Sequence, residues 1–144
     1  MTERLSHAEF ERACVCQALR RAARKVTRRY EDALRPIGLT MGQFTTLAAL
    51  LRADPVPLSV LADQLGMDRT TLTRDLAPLE RRGLLASVPM PDDRRVRAIE
   101  LTHEGRVLLD DAVPLWREAQ AESGRRLDGT DWADVRSELD RLAA

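Results

Sequence analysis

The chain has 144 residues, 44 % of them hydrophobic and only 3 % aromatic, with 23 Lys/Arg balanced by 23 Asp/Glu. That length suits one domain with a modest core, and a net charge of zero excludes bulk electrostatic attraction to nucleic acid, so any such affinity has to come from arginines placed locally. No apolar run approaches the roughly 20 residues that span a bilayer and no signal-peptide h-region is present, so a cytoplasmic protein without a membrane partner is expected. Cys14 and Cys16, only two positions apart, make no secreted disulfide framework.

The first element is expected to be one long helix from about Ser6 to Leu34, with Ser6 and Glu9 at capping-box spacing. Val15, Leu19, Ala22, Val26 and then Ala33 or Leu34 form a stripe at helical spacing. A chain this small has little to cover so long a stripe, and a second copy of the chain is the natural source. Arg20, Arg21, Arg24, Lys25, Arg28 and Arg29 occupy much of the remaining surface. They read either as a solvated face paired with acidic helices elsewhere or as phosphate contacts. Cys14 and Cys16 lie beside the stripe. Two residues apart on a helix, their side chains diverge by about 200°, so an intact helix forbids a bond between them. Three readings stay open: a redox sensor whose oxidation unwinds that turn, two small thiols filling an interface, or soft-metal thiolates. Arg12 and Arg20 nearby would favour the thiolate.

Pro36 and Gly38 end this helix. Thr40 and Gln43 then stand at capping-box spacing, before a helix whose core face is expected to be Phe44, Leu47, Leu50 and Leu51. The extended stretch from Asp54 to Pro57 could supply a third strand to a sheet formed later in the chain.

From Ser59 to Gly83 two helical patterns break at Gly66. Ser59 is expected to cap the first, which carries Leu61, Ala62 and Leu65. Gly66 can take the left-handed conformation that ends a helix, and Asp68 caps the second. Leu72, Leu76 and Leu79 form the inner face of this second helix. Thr70, Thr73, Arg74 and Ala77 fall on the opposite face, with Arg69 and Thr71 at the flanks. Hydroxyl and guanidinium groups on a short exposed helix suit base edges and phosphates, and two helices joined by a tight turn make a helix-turn-helix. Pro78 removes one backbone hydrogen bond, to the carbonyl of Arg74, beyond the residues proposed to read bases. Leu85 to Val88 and Arg95 to Leu101 then read as two strands around a loop from Pro89 to Asp93, which is a wing. Arg94, Arg95 and Arg97 are expected at or near its tip, where arginine can enter a minor groove, with Asp93 pairing with Arg95 to hold the tip.

The run from Leu61 to Leu85, the Asp93-x-Arg95 element and Leu101-Thr102-x-x-Gly105 together resemble the multiple antibiotic resistance regulator (MarR) family of bacterial transcription factors. Length and helix order extend the resemblance over nearly the whole chain. It implies a dimeric winged helix-turn-helix that binds DNA, usually a repressor released by a small molecule or by oxidation. Some members of that family sense peroxides or hypochlorite through N-terminal cysteines. Those with a single sensing cysteine often pair it with tyrosines, and Tyr30 is the only tyrosine here.

After the wing, Thr102 is expected to cap a long helix with Val107, Leu108, Val113 or Leu115, and Trp116 on its apolar side, kinked at Pro114. Gly129 and Thr130 mark a break and a new cap. The last helix carries Trp132, Val135, Leu139 and Leu142, a narrow seam of the kind used between helices. Charge is segregated between the ends: residues 11–35 carry eight Lys/Arg and three Asp/Glu, residues 104–144 six Arg and ten Asp/Glu. The two ends are therefore expected to attract, within a subunit or between subunits.

The expected fold is mainly α with a small β wing. It is a single winged helix-turn-helix domain over 1–144, with residues 39–102 as the DNA-binding unit and 6–35 and 103–144 as long terminal dimerisation helices. A twofold dimer would set its recognition helices about 34–36 Å apart, one turn of a pseudo-palindromic operator. His7 and His103 are isolated, no spacing resembles a zinc site, and no nucleophile motif or phosphate loop is present, so neither an enzyme nor a bound cofactor is expected. The expected partners are double-stranded DNA, a second copy of the chain, and a small-molecule or oxidant inducer. The alternative is a thiol-based redox or soft-metal-binding protein whose winged helix contacts proteins. A protein-contact surface would be expected to carry aromatics, and the exposed positions here are threonine and arginine.

Overall fold

A computed structural model describes residues 4–144. Among these the chain forms α1 (His7–Ala13), α2 (Val15–Leu34), a 3-10 turn (Arg35–Ile37), α3 (Met41–Ala49), β1 (Val56–Pro57), α4 (Leu58–Leu65), α5 (Arg69–Arg81), β2 (Leu85–Pro89), β3 (Arg97–Leu101), α6 (His103–Arg125) and α7 (Trp132–Ala143). The sheet is antiparallel with strand order β1-β3-β2, so the short stretch before α4 does join the wing hairpin as its third strand. This matches the winged-helix architecture expected from the sequence.

The caps follow local chemistry. The Thr40 hydroxyl accepts from the Gln43 amide at 3.1 Å and the Gln43 side chain accepts from the Thr40 amide, a complete capping box. Gly66 closes α4 at φ 63°, ψ 33°, and Asp68 opens α5. Two caps differ from expectation. Helix α4 begins one residue before Ser59, with Pro57 at the cap position and no side-chain bond, because Pro57 is held in β1 and sets the chain direction. Helix α7 is capped by Asp131 rather than Thr130, the Asp131 carboxylate accepting from the Ala133 amide at 2.8 Å.

The core lies where α3, α4, α5, the sheet and α6 converge. Leu47, Leu61, Leu72, Leu76, Leu79 and Ile99 have almost no exposed surface. Phe44 stacks on Trp116 with ring centroids 5.9 Å apart, tying α3 to α6. Leu51, expected on the core face of α3, lies past the end of that helix and is exposed. The inner face of α6 is Gly105, Leu109, Ala112 and Ala119, with Val107 exposed. The small residues let α6 approach closely. A Cβ built at Gly105 would sit 1.9 Å from the Leu84 carbonyl oxygen, so only glycine fits there. The same corner is tied by the Thr102 hydroxyl, which donates to the Gly83 carbonyl at 2.6 Å and accepts from the Gly105 amide at 3.0 Å.

The expected single N-terminal helix is two. Cys14 leaves the helical region at φ −78°, ψ 98°, ends α1 and caps α2, its Sγ accepting from the Gln17 amide at 3.4 Å. No proline or glycine marks the break, which is why the sequence reads as continuous. Of α2 only Tyr30 and Leu34 are buried, and α1 and α7 bury no residue. Helix α2 packs on α6, where the Tyr30 hydroxyl donates to Gln120 Oε1 at 2.6 Å and Arg29 donates to the Ser123 hydroxyl at 3.0 Å. Among the described residues, no ion pair joins basic α2 to acidic α6 or α7. The ion pairing expected between the two ends is therefore not made within the chain. No helix among the described residues is long and apolar enough to cross a membrane.

Candidate nucleic-acid interface

Helix α5 is anchored from inside by Leu72, Leu76 and Leu79, all buried, and this fixes which residues look outward. Arg69, Thr70, Thr73 and Arg74 are exposed, and no acidic partner holds Arg69 or Arg74 among the described residues. The Thr73 hydroxyl donates to the Arg69 carbonyl at 2.8 Å, which leaves its oxygen free to accept. Thr71 is engaged in the cap: its amide donates to Asp68 Oδ1 at 2.8 Å and its hydroxyl to Oδ2 at 2.7 Å. The Thr71 amide, and then its hydroxyl, hold the Asp68 carboxyl below the ordinary aspartate range.

The wing tip is a closed loop. Met90 N–H donates to the Val96 carbonyl and Val96 N–H to the Asp93 carbonyl, each at 3.0 Å. Asp93 accepts from the Arg95 side chain through Nε at 3.0 Å and a terminal nitrogen at 3.1 Å, and from the Arg95 amide at 3.1 Å. These bonds, the side-chain fork first, pull the Asp93 carboxyl below its ordinary range and raise Arg95 above its own. The fork is exposed, so it orders the tip without sequestering the charge; Arg95 keeps 91 % of its side-chain surface open. Arg94 is exposed beside it without an ion-pair partner among the described residues.

Arg97 does lie near the tip, opposite Pro89 at that end of the hairpin, but its guanidinium is engaged there rather than free. Its Nε donates to the Ser87 hydroxyl at 2.9 Å and a terminal nitrogen to Glu80 Oε1 at 3.2 Å, and the Ser87 hydroxyl also donates to Glu80 Oε1. Strand alternation puts Arg97 on the face shared by Ile99 and Leu101, turned towards the helices. A guanidinium on an inward face needs an acceptor, and the strand alternation signals that need. The sequence does not point to Glu80 and Ser87 as the acceptors, because they lie 17 and 10 positions away.

Cys14, which caps α2, is half-buried, and Cys16 in the first turn of that helix is exposed. Among the described residues no group of three or more His, Cys, Asp or Glu is gathered for a metal ion.

A model of the MarR family matches residues 39–96, the head from the end of the 3-10 turn to the wing. The chain is 28 % identical over 115 residues to an organic hydroperoxide resistance transcriptional regulator of Bacillus subtilis, covering 80 % of this chain and 78 % of that one. It is 45 % identical to the M. tuberculosis transcriptional regulator MosR solved in complex with DNA, with a TM-score of 0.79 over 90 % of this chain and 92 % of that chain. It is also 30 % identical to CouR of Rhodococcus jostii RHA1 bound to p-coumaroyl-CoA, with a TM-score of 0.75 over 91 % of this chain and 90 % of that chain.

Proposed function

The chain belongs to the MarR family of DNA-binding transcriptional regulators, a non-enzymatic class, and from that premise we propose that it is a cytoplasmic homodimeric repressor. It reads a pseudo-palindromic operator through α5 and the wings, and oxidation of Cys14 and Cys16 releases it. The observation that carries the DNA reading is the joint exposure of Arg69, Thr70, Thr73 and Arg74 on α5 and of Arg94 and Arg95 on the wing. Arg74→Ala should cost roughly 1–3 kcal/mol of specific binding if Arg74 meets a base. Arg95→Ala should weaken binding to many sequences more evenly. Equal affinity of both variants and wild type for operator DNA would overturn these assignments.

Dimerisation is supported by the open apolar stripes of α2 and α7, and by the opposite charges at the two ends that find no partner inside one subunit. The oxidative signal is supported by the chain break at Cys14. Because Cys14 already stands outside helical geometry, bond formation has only the first turn of α2 to unwind, and it removes the Cys14 cap on Gln17. Exposed Cys16 meets the oxidant first. An organic hydroperoxide converts its thiol to a sulfenic acid and leaves as the alcohol. The Cys14 thiol then displaces water and closes the S–S bond. Driving the population from 1:99 to 99:1 in favour of the non-binding form takes about 5.5 kcal/mol of bias. Single Cys14→Ser and Cys16→Ser variants should bind operator and lose the thiol-reversible release by cumene hydroperoxide. If oxidised wild type still binds with unchanged affinity, the two thiols are packing residues.

A second inducer reading, a small molecule, is favoured by one feature. A cleft of about 380 Å³ lies between α3 and α5, lined by Thr40, Gln43, Thr46, Met67, Arg74 and Pro78. A ligand there would compete directly with the DNA contacts of Arg74.

A further inference from the structure

We infer that Glu80, with Ser87 and Arg97, is the strut that fixes the wing against the recognition helix, so that Arg97 positions Arg94 and Arg95 on DNA and touches no phosphate itself. Three elements meet in one closed triangle. The Glu80 carboxylate on α5 accepts from Ser87 on β2 and from Arg97 on β3, while Arg97 also donates to the Ser87 hydroxyl at 2.9 Å. Arg97–Glu80 is the only ion pair among the described residues whose partners are more than four positions apart in the chain. It is also shielded, with 36 % of the Arg97 side chain and 31 % of Glu80 open, against 91 % for Arg95. Arg95, though forked onto Asp93, stays open to a phosphate, whereas Arg97 is shielded against Glu80.

The geometry explains why this contact matters. Glu80 is seven positions after Thr73, two helical turns, and so lies on the same flank of α5 about 10 Å further along. The wing is thus clamped to the flank that carries the reading residues. A two-stranded tip joined to the core only at its base can rock. The triangle is made near the tip end of the hairpin, beside the Pro89–Arg97 pair, where a small rotation moves Arg94 and Arg95 most.

The sign of one substitution separates this role from the alternatives. Glu80 is a negative charge on a surface that approaches phosphates, so by electrostatics alone Glu80→Gln should tighten binding. If the strut governs the wing, Glu80→Gln should weaken it. The probe is a duplex selected by the wild-type protein from a random-sequence pool, read by fluorescence anisotropy between about 50 and 200 mM salt. We expect Glu80→Gln to lose about tenfold in affinity and the salt slope to become shallower by about 1, as wing phosphate contacts drop out. Arg97→Lys should behave alike, since an ammonium cannot reach both Ser87 and Glu80 in the same geometry. The double variant Glu80→Gln/Arg97→Lys should be no worse than either single one. Ser87→Ala, which leaves both charges in place, supplies a milder third member of the series. Unchanged or tighter binding by Glu80→Gln, or full affinity and an unchanged slope in Arg97→Lys, would show that Arg97 is a direct phosphate contact and overturn the strut. The wild-type selection stands apart from these variants, so failure of the strut is distinguishable from failure to bind DNA.

Discussion

In the winged head, Leu47, Leu61, Leu72, Leu76 and Ile99 have 0 % of their surface exposed, whereas in the helical base Val15, Leu19, Val26, Trp132 and Leu142 keep between 38 % and 58 % open. Both sets sit at helical or strand spacing in the sequence, and both are aliphatic or aromatic. The difference is the presence of something to pack against. The head folds two helices and a three-stranded sheet back on α3 and α6, and so buries its apolar faces within the chain. The base is α2 packed on α6; α1 and α7 bury no residue, and among the described residues no element covers the outer stripes within the chain. Stability in the head is thus a property of one chain, while completion of the base depends on concentration under the proposed dimer.

The comparison is broken or sharpened most strongly in the head. Leu76→Ala should cost roughly 2–5 kcal/mol in denaturant unfolding, because the site is fully enclosed and cannot collapse without cost. A loss much smaller than this would mean that the head core is not closed. Next is Gly105→Ala, where the added methyl meets the Leu84 carbonyl and the Leu101 side chain. Overpacking against backbone should cost roughly 1–3 kcal/mol, seen as a lower melting temperature that is independent of protein concentration. Gly124→Ala, on the same helix but in open space, should instead hold or raise the melting temperature.

In the base the expected outcome is different in kind. Leu19→Asp combined with Leu142→Asp should leave the circular dichroism of the head intact, and should raise the dissociation constant of a dimer about tenfold or more in sedimentation velocity. A stable monomer for the wild type at micromolar concentration would remove the dimer and the two-half-site operator with it.

The smallest expected effect is the acid response of the α5 cap. The folded Asp68 carboxyl is held below its unfolded value by the Thr71 amide and hydroxyl. A depressed folded value means that its contribution is present above the unfolded aspartate range and is lost as pH falls through the folded one. Asp68→Asn keeps a cap acceptor without the titrating charge. Its melting temperature should therefore lie below that of wild type at neutral pH, with the gap closing as the medium is acidified below the aspartate range. A gap that stays constant with pH would assign the cap to geometry rather than charge.

Periodicity and punctuation in the sequence carried most of the head. The inward leucines of α5, the break at Gly66, the cap at Asp68 and the Thr40–Gln43 box are all set by residues within a few positions of one another. Local backbone preference and side-chain spacing determine such features before any tertiary contact forms. The same holds for the exposure of Thr70, Thr73 and Arg74, which follows once the leucine face is known. What only the tertiary structure decided lies where distant segments compete for one group. Arg97 carries the same charge as Arg94 and Arg95, but Glu80 and Ser87, brought beside it by the fold, occupy its guanidinium. Gly105 is required by the carbonyl of Leu84, which reaches it only when α6 closes on the hairpin. The break at Cys14 carries no proline or glycine to announce it, and the thiol ends up capping α2 rather than lying within one long helix. Sequence spacing reports which face of an element a residue occupies; which partner fills that face is set by long-range packing, and no local rule contains it.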